Sequence, residues 1–317
     1  MASNHSTAGL KRPSASLDPD VESTQKHARK SEIDSSELPA VTEEALTEEE
    51  IQGTELPLDQ AAEEHGPRNA FSALMGPKPK PQPKPPSTAK TTFAARNGLG
   101  AYLTDPGSFP ASRVIFHSPT AVAIHDMFPK ATVHCLLLPR SPAHNLLHPF
   151  EALADPPFLA QVRAEAAKLK DLAAKELQRI LGKHSAAEAG RNAVLNGEAE
   201  PSTDANGTVV LPQGRDWMRE IKVGVHAVPS MNHLHVHVFS RDMHSEKMKK
   251  RKHYNSFTTD FMVPLDDFPL AIDDPRRHQG KWPERPMLCW RCGKNFGNQF
   301  QKLTEHLEVE FQAWKRE

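Results

Sequence analysis

The chain has 317 residues, 38% of them hydrophobic and 25% charged, with a formal net charge of -1. Three cysteines exclude a disulfide framework, and with no run of about 18 apolar residues or N-terminal apolar signal, neither a membrane span nor a secretion leader is expected. Residues 1–90 hold 10 Lys+Arg against 15 Asp+Glu and leave 29 against 25 for the rest, so an acidic leader precedes a basic body whose sign suits an anionic partner.

Residues 1–90 read as disordered. The stretch 31–64 has twelve Asp or Glu and no Lys or Arg, and a Pro-Lys tract follows from Lys78. Neither buries enough apolar surface to offset the entropy of ordering. Two basic clusters, Lys11-Arg12 and Lys26 to Lys30, form a two-part nuclear import signal. The patch 68–75, with Phe71, Leu74 and Met75, is a candidate docking motif for partner proteins.

Residues 93–103 make a short helix closed by Asp105-Pro106-Gly107. Segments 114–117, 121–126 and 132–138 read as strands by alternation and β-branched content, with Pro119 and Pro129 marking the turns. A helix at 149–181 puts Leu169, Leu172, Ala173, Leu177 and Ile180 on one stripe. Residues 182–214 turn to Gly, Ala, Ser, Asn and Pro, the composition of a flexible insertion. Strands at 220–228 and 234–240 follow, so the fold class is α+β.

The second of these strands begins with alternating histidines. In an extended chain His233, His235 and His237 share one face while Leu234, Val236 and Val238 take the other. Neighbouring imidazoles then lie within about 7 Å, from a rise of roughly 3.3 Å per residue. Two chemistries use such a row: a His-x-His metal site, or metal-free nucleophilic catalysis by one imidazole whose neighbours fix tautomers and move protons.

The stretch 233–239 matches the signature of the histidine-triad superfamily, His-φ-His-φ-His-φ-φ with φ apolar, and the block from Asp126 to Pro139 resembles that family's nucleotide-binding strand pair. Residues 224–231 and 252–257 narrow the resemblance to the aprataxin branch, in its fungal-like form, since residues 1–90 cannot build a forkhead-associated β-sandwich. The resemblance implies a histidine-triad domain over 91–260, with flanking helices and an antiparallel sheet of about five strands, a linker over 261–285 and a zinc finger over 286–317. It implies a DNA-repair hydrolase that removes AMP from 5′-adenylated ends without a catalytic metal. His235 would attack the α-phosphorus, His233, His237 and Ser230 would stabilise the phosphoryl oxygens, and His226 would protonate the leaving 5′-phosphate. Asp126, Lys130 and His134 would hold the nucleotide. Lys249, Lys250, Lys252, Tyr254 and Ser256 would contact nicked DNA, and Phe93 and Tyr102 are candidates for stacking on the exposed base pair. The rivals are a small-molecule adenylyl hydrolase and an inactive DNA-binding adaptor.

At the C-terminus, Cys289 and Cys292 have knuckle spacing, and His306 comes after thirteen intervening residues on a helix over 298–314. A fourth ligand is due one turn later. Glu310 occupies that place on the same helical face, whereas Glu308 points elsewhere. Many aprataxins end the finger with a second histidine instead. Four ligands without an open position make a structural Zn2+ site. A basic loop and a finger beside the triad would clamp phosphates of DNA without reading sequence. Cys135 lies in an apolar strand and reads as core.

Overall fold

The computed structural model describes residues 96–278 and 282–317. The leader 1–90, its import signal, the 68–75 motif and Phe93 lie outside the described residues. Ten strands are described, β1 (Val114–His117), β2 (Ala121–His125), β3 (His134–Pro139), β4 (Ser202–Thr203), β5 (Val209–Val210), β6 (Ile221–His226), β7 (Val236–Ser240), β8 (Met262–Pro264), β9 (Met287–Leu288) and β10 (Asn295–Gly297). The helices are α1 (Gly100–Thr104), α2 (Pro149–Ala152), α3 (Pro156–Leu181), α4 (Ala189–Leu195), α5 (Arg251–Thr258) and α6 (Phe300–Trp314). No helix among the described residues is long and apolar enough to cross a membrane.

The main sheet is antiparallel in the order β1-β2-β3-β7-β6-β8. It has six strands rather than about five, because β8 comes from the segment expected to be a linker. That segment is packed: Leu265, Phe268 and Leu270 enter the main core. Gly224 permits the β6–β8 pairing, since a Cβ there would meet the Val263 carbonyl oxygen at 2.5 Å.

Alternation along β3 and β7 sorts the two faces of the sheet. Cys135, Leu137, Val236 and Val238 pack with the long helix α3, while Leu136 and Leu138 join Val122, Ile124, Leu99 and Tyr102 on the other face. The helix expected over 149–181 is broken into α2 and α3 at Asp155, because Pro156 and Pro157 suit only a helix start. Along α3 the buried stripe is Val162, Ala166, Leu169, Ala173, Leu177 and Leu181. Leu172, expected on that stripe, is 41% exposed.

Residues 182–214, expected from composition as a flexible insertion, contain short regular elements. They hold α4 and a β4–β5 hairpin. Their anchor is Glu188, whose carboxylate accepts from the Trp217 indole at 2.6 Å and the Arg215 amide at 3.1 Å.

The C-terminal module shares its core with the main body. Met287, Cys289, Phe296, Leu303 and Leu307 cluster with Phe239, Met243, Met248, Tyr254 and Phe257. The guanidinium of Arg215 lies 4.8 Å from the rings of both Trp217 and Trp314. His244 stacks on Phe311 at 4.0 Å and bonds Glu308 at 2.7 Å. Of the 93–103 helix, the described portion is the single turn α1, and Tyr102 within it is buried against Phe109 at 4.3 Å. Tyr102 is a core residue, not a free stacking surface.

Candidate active site

Cross-strand register gathers the histidines. His237 pairs with Leu136 of β3 and Gly224 of β6, and His134 pairs with Phe239, so these side chains share one face, opposite α3. His226, two residues beyond Gly224, falls on the same face. Ring centroids stand 4.3 Å apart for His226 and His237, 5.0 Å for His235 and His237, and 5.2 Å for His134 and His237. Phe257 from α5 meets His134, His226 and His237 from 4.8 to 5.2 Å.

His235 is 5% exposed, and its Nδ1 lies 2.7 Å from the His233 carbonyl oxygen. A carbonyl only accepts, so Nδ1 carries the proton and Nε2 keeps its lone pair while the ring is neutral. Burial pushes the pKa of His235 down, against the opposing pull of that carbonyl and of Asp126. The neutral form therefore prevails at pH 7. The ring of His233 rests on Gly100, where a Cβ would stand 2.8 Å from Cε1. Any larger residue at position 100 would displace that imidazole.

Burial, with help from His235, His134 and Lys130, holds His226 well below the ordinary histidine value. Its bond to the Ser256 main chain opposes that shift and is thus a donation to the carbonyl. In the free protein His226 is therefore neutral at pH 7. Ser230 is half-buried in the loop between β6 and β7.

Asp126 closes a local turn, with Oδ1 accepting from the Phe128 amide at 2.7 Å and Oδ2 3.4 Å from His134 Nε2. Lys130 is buried, and its ammonium donates to the Phe128 carbonyl at 2.7 Å. Both ring nitrogens of His134 are engaged inside the protein, Nδ1 by the Lys130 amide at 3.1 Å and Nε2 by His237 Nδ1 at 3.0 Å. His134 therefore stands behind the triad, with both ring nitrogens held by protein partners.

Lys249 and Lys250 are exposed and Lys252 half-buried at the start of α5. Tyr254 and Ser256 depart from the expected DNA-contact role, because α5 turns both inward. Tyr254 is fully buried, its hydroxyl donating to the Leu288 carbonyl at 2.8 Å and accepting from the Trp290 amide at 2.9 Å. Ser256 is 7% exposed and donates to the His253 carbonyl at 3.0 Å.

Among the described residues, two donor groups have ligand atoms within 4.8 Å of one another. The first is Cys289, Cys292, His306 and Glu310, with Cys292 Sγ to His306 Nε2 at 3.1 Å and His306 Nε2 to Glu310 Oε1 at 3.2 Å. Two thiols, an imidazole and a carboxylate fit tetrahedral zinc. Arg291 holds the other oxygen of Glu310, leaving Oε1 toward the cluster. Glu308 points away to His244, as its helical phase requires. The second group is Asp126, His134 and His237. There the two imidazoles already share a hydrogen bond, and buried Lys130 opposes a further cation.

Residues 110–244 match the HIT domain family, and residues 258–313 match the C2HE / C2H2 / C2HC zinc-binding finger family. The aprataxin-like protein of Saccharomyces cerevisiae is 32% identical over 223 residues, covering 69% of this chain and 96% of that one. The chain belongs to the aprataxin-like proteins. A second aprataxin-like relative, from Schizosaccharomyces pombe, is 31% identical over 255 residues, covering 79% of this chain and 96% of its own. A crystal structure of the aprataxin ortholog Hnt3 in complex with DNA matches with a TM-score of 0.53 at 29% identity, covering 69% of this chain and 96% of that one. This aprataxin-like chain thus joins the HIT domain of nucleotide hydrolases to a C2HE finger. The finger family begins at residue 258, in keeping with the packed 261–285 segment. Sequence reading missed Gly100, Phe257 and Arg291 as supports of the aprataxin-like site. Only Phe257 carried a signal, as the last residue of the 252–257 block.

Proposed function

We propose that this chain hydrolyses 5′-adenylated DNA: AMP-5′-phosphate-DNA and water give AMP and a 5′-phosphate end. The observation that carries the reading is the approach of His235 to the His233 carbonyl at 2.7 Å, which leaves a buried, neutral Nε2 lone pair as nucleophile. Nε2 attacks the α-phosphorus and the P–O bond to the DNA 5′-phosphate breaks. Water then cleaves the P–N bond of the adenylyl-histidine and releases AMP. His233, His237 and Ser230 stabilise the phosphoryl oxygens, and Asp126 and Lys130 hold the nucleotide. His226 protonates the leaving phosphate once the substrate's negative charge has raised its pKa.

The chemistry needs no metal at the triad, where Lys130 supplies the positive charge. Zinc stays in the finger. Lys249 and Lys250 lead into α5, Lys252 lies in its first turn, and α5 packs on the finger through Tyr254. One continuous surface would thereby grip the phosphates flanking a break. Relatives solved in complex with DNA, one also with guanosine, support this reading. The leader 1–90 would direct nuclear import and recruit repair proteins.

The test is turnover of a 5′-adenylated nick against an adenylyl phosphoramidate, with chelator present and one zinc per chain confirmed. Preference for the nick is expected. Equal or greater activity on the small substrate would favour a small-molecule hydrolase.

A further inference from the structure

We infer that His134 is a positioning residue that sets the tautomer of His237, so that the third triad imidazole offers Nε2–H to the phosphoryl group. The inference rests on the hydrolase reading above only for its catalytic consequence. The tautomers themselves follow from the hydrogen bonds.

A main-chain amide can only donate. The Lys130 N–H, 3.1 Å from His134 Nδ1, therefore requires a lone pair on that nitrogen. A neutral His134 then carries its proton on Nε2, and burial holds the ring neutral by pushing its pKa down to about 4. Both groups facing Nε2 are acceptors in this arrangement, His237 Nδ1 at 3.0 Å and Asp126 Oδ2 at 3.4 Å. Because Nε2–H donates to it, His237 Nδ1 must also hold a lone pair. The proton of neutral His237 is left on Nε2, a buried atom with no hydrogen-bond partner among the described residues.

The adjacent ring obeys the opposite instruction. The His233 carbonyl demands a proton on Nδ1 of His235, giving a bare Nε2. Two main-chain groups, one N–H and one C=O, thus impose opposite tautomers on neighbouring imidazoles, one a nucleophile and the other a donor. With the reverse tautomer, His237 would turn a lone pair toward the phosphoryl oxygens, and the site would lose a donor. Losing one such donor lowers kcat by about 10²–10³-fold in other enzymes.

The test is nitrogen-15 NMR of histidine-labelled full-length protein at pH 7.5, which distinguishes Nδ1–H, Nε2–H and imidazolium forms directly and needs no substrate. We expect Nε2–H for His134 and His237 and Nδ1–H for His235. In His134→Leu, with one zinc per chain retained as evidence of folding, His237 should become a mixture of tautomers, and kcat on 5′-adenylated DNA should fall by about 10²–10³-fold with little change in KM. An Nδ1–H or imidazolium His237 in the wild-type protein would overturn the inference. So would an unchanged rate in His134→Leu, or a second zinc shifting the resonances of His134 and His237. Wild-type protein with the expected tautomers but no action on adenylated DNA would support the tautomer assignment and sink only the hydrolase reading.

Discussion

The indole N–H of Trp314 donates to the carboxylate of Glu220 at 3.0 Å, joining the last residue of the finger helix to the residue just before β6. Trp314 is 2% exposed and belongs to the main core. Removing a buried tryptophan side chain costs about 3–5 kcal/mol. Trp314→Ala should lower unfolding free energy by that amount, and wild-type urea unfolding should show finger and body melting in one transition. Separate transitions in the wild-type protein would show that the shared packing does not couple them.

Acid should weaken the fold through the buried histidines. His134 drops from 6.5 to about 4, chiefly by burial, and His226, His235 and His237 shift in the same direction. A depressed folded-state value means that the unfolded chain takes up protons first. Stability is therefore full above pH 6.5 and declines as pH falls toward 4. His134 alone accounts for about 3 kcal/mol, at roughly 1.4 kcal/mol per pH unit. Urea midpoints measured from pH 7.5 to 4.5 should fall steadily; a flat series would refute the assignment.

Zinc affinity should depend on Arg291, although it is no ligand. Its guanidinium holds one oxygen of Glu310 and leaves the other toward His306. Losing a group that orients a ligand weakens metal binding by about 10–100-fold. Chelator competition on Arg291→Ala should show this loss. Glu310→Ala should show a larger one, and unchanged affinity in Glu310→Ala would remove the carboxylate from the ligand set.

Lys249 and Lys250 should act on DNA through charge alone. Removing one lysine that neutralises a phosphate lowers the dependence of log K on log salt by about 1. The double alanine variant should therefore bind nicked DNA more weakly and with a flatter salt dependence, while turnover of a small adenylyl substrate stays unchanged. An unaltered slope would place the DNA path elsewhere.

Local pattern made much of the fold and site legible. Val114–His117 has the bounds that alternation suggests, and Leu234, Val236 and Val238 take the core face opposite His235 and His237. The finger ligands follow from spacing and helical phase, down to Glu310 over Glu308. What pattern could not supply was tertiary. Lys130 follows Pro129 in a turn, and nothing in that local pattern signals that it is buried. Tyr254 and Ser256 sit among lysines, yet α5 turns them inward against the finger and His226. The role of His134 depends on a partner, His237, 103 positions away.

The central claim is capture of adenylate by His235. Protein mixed with DNA carrying a labelled 5′-adenylate, denatured in alkali and digested, should yield one labelled peptide containing residue 235, and His235→Ala with correct zinc content should yield none and turn over no substrate. Turnover by that variant, or label on any other residue, would contradict the account.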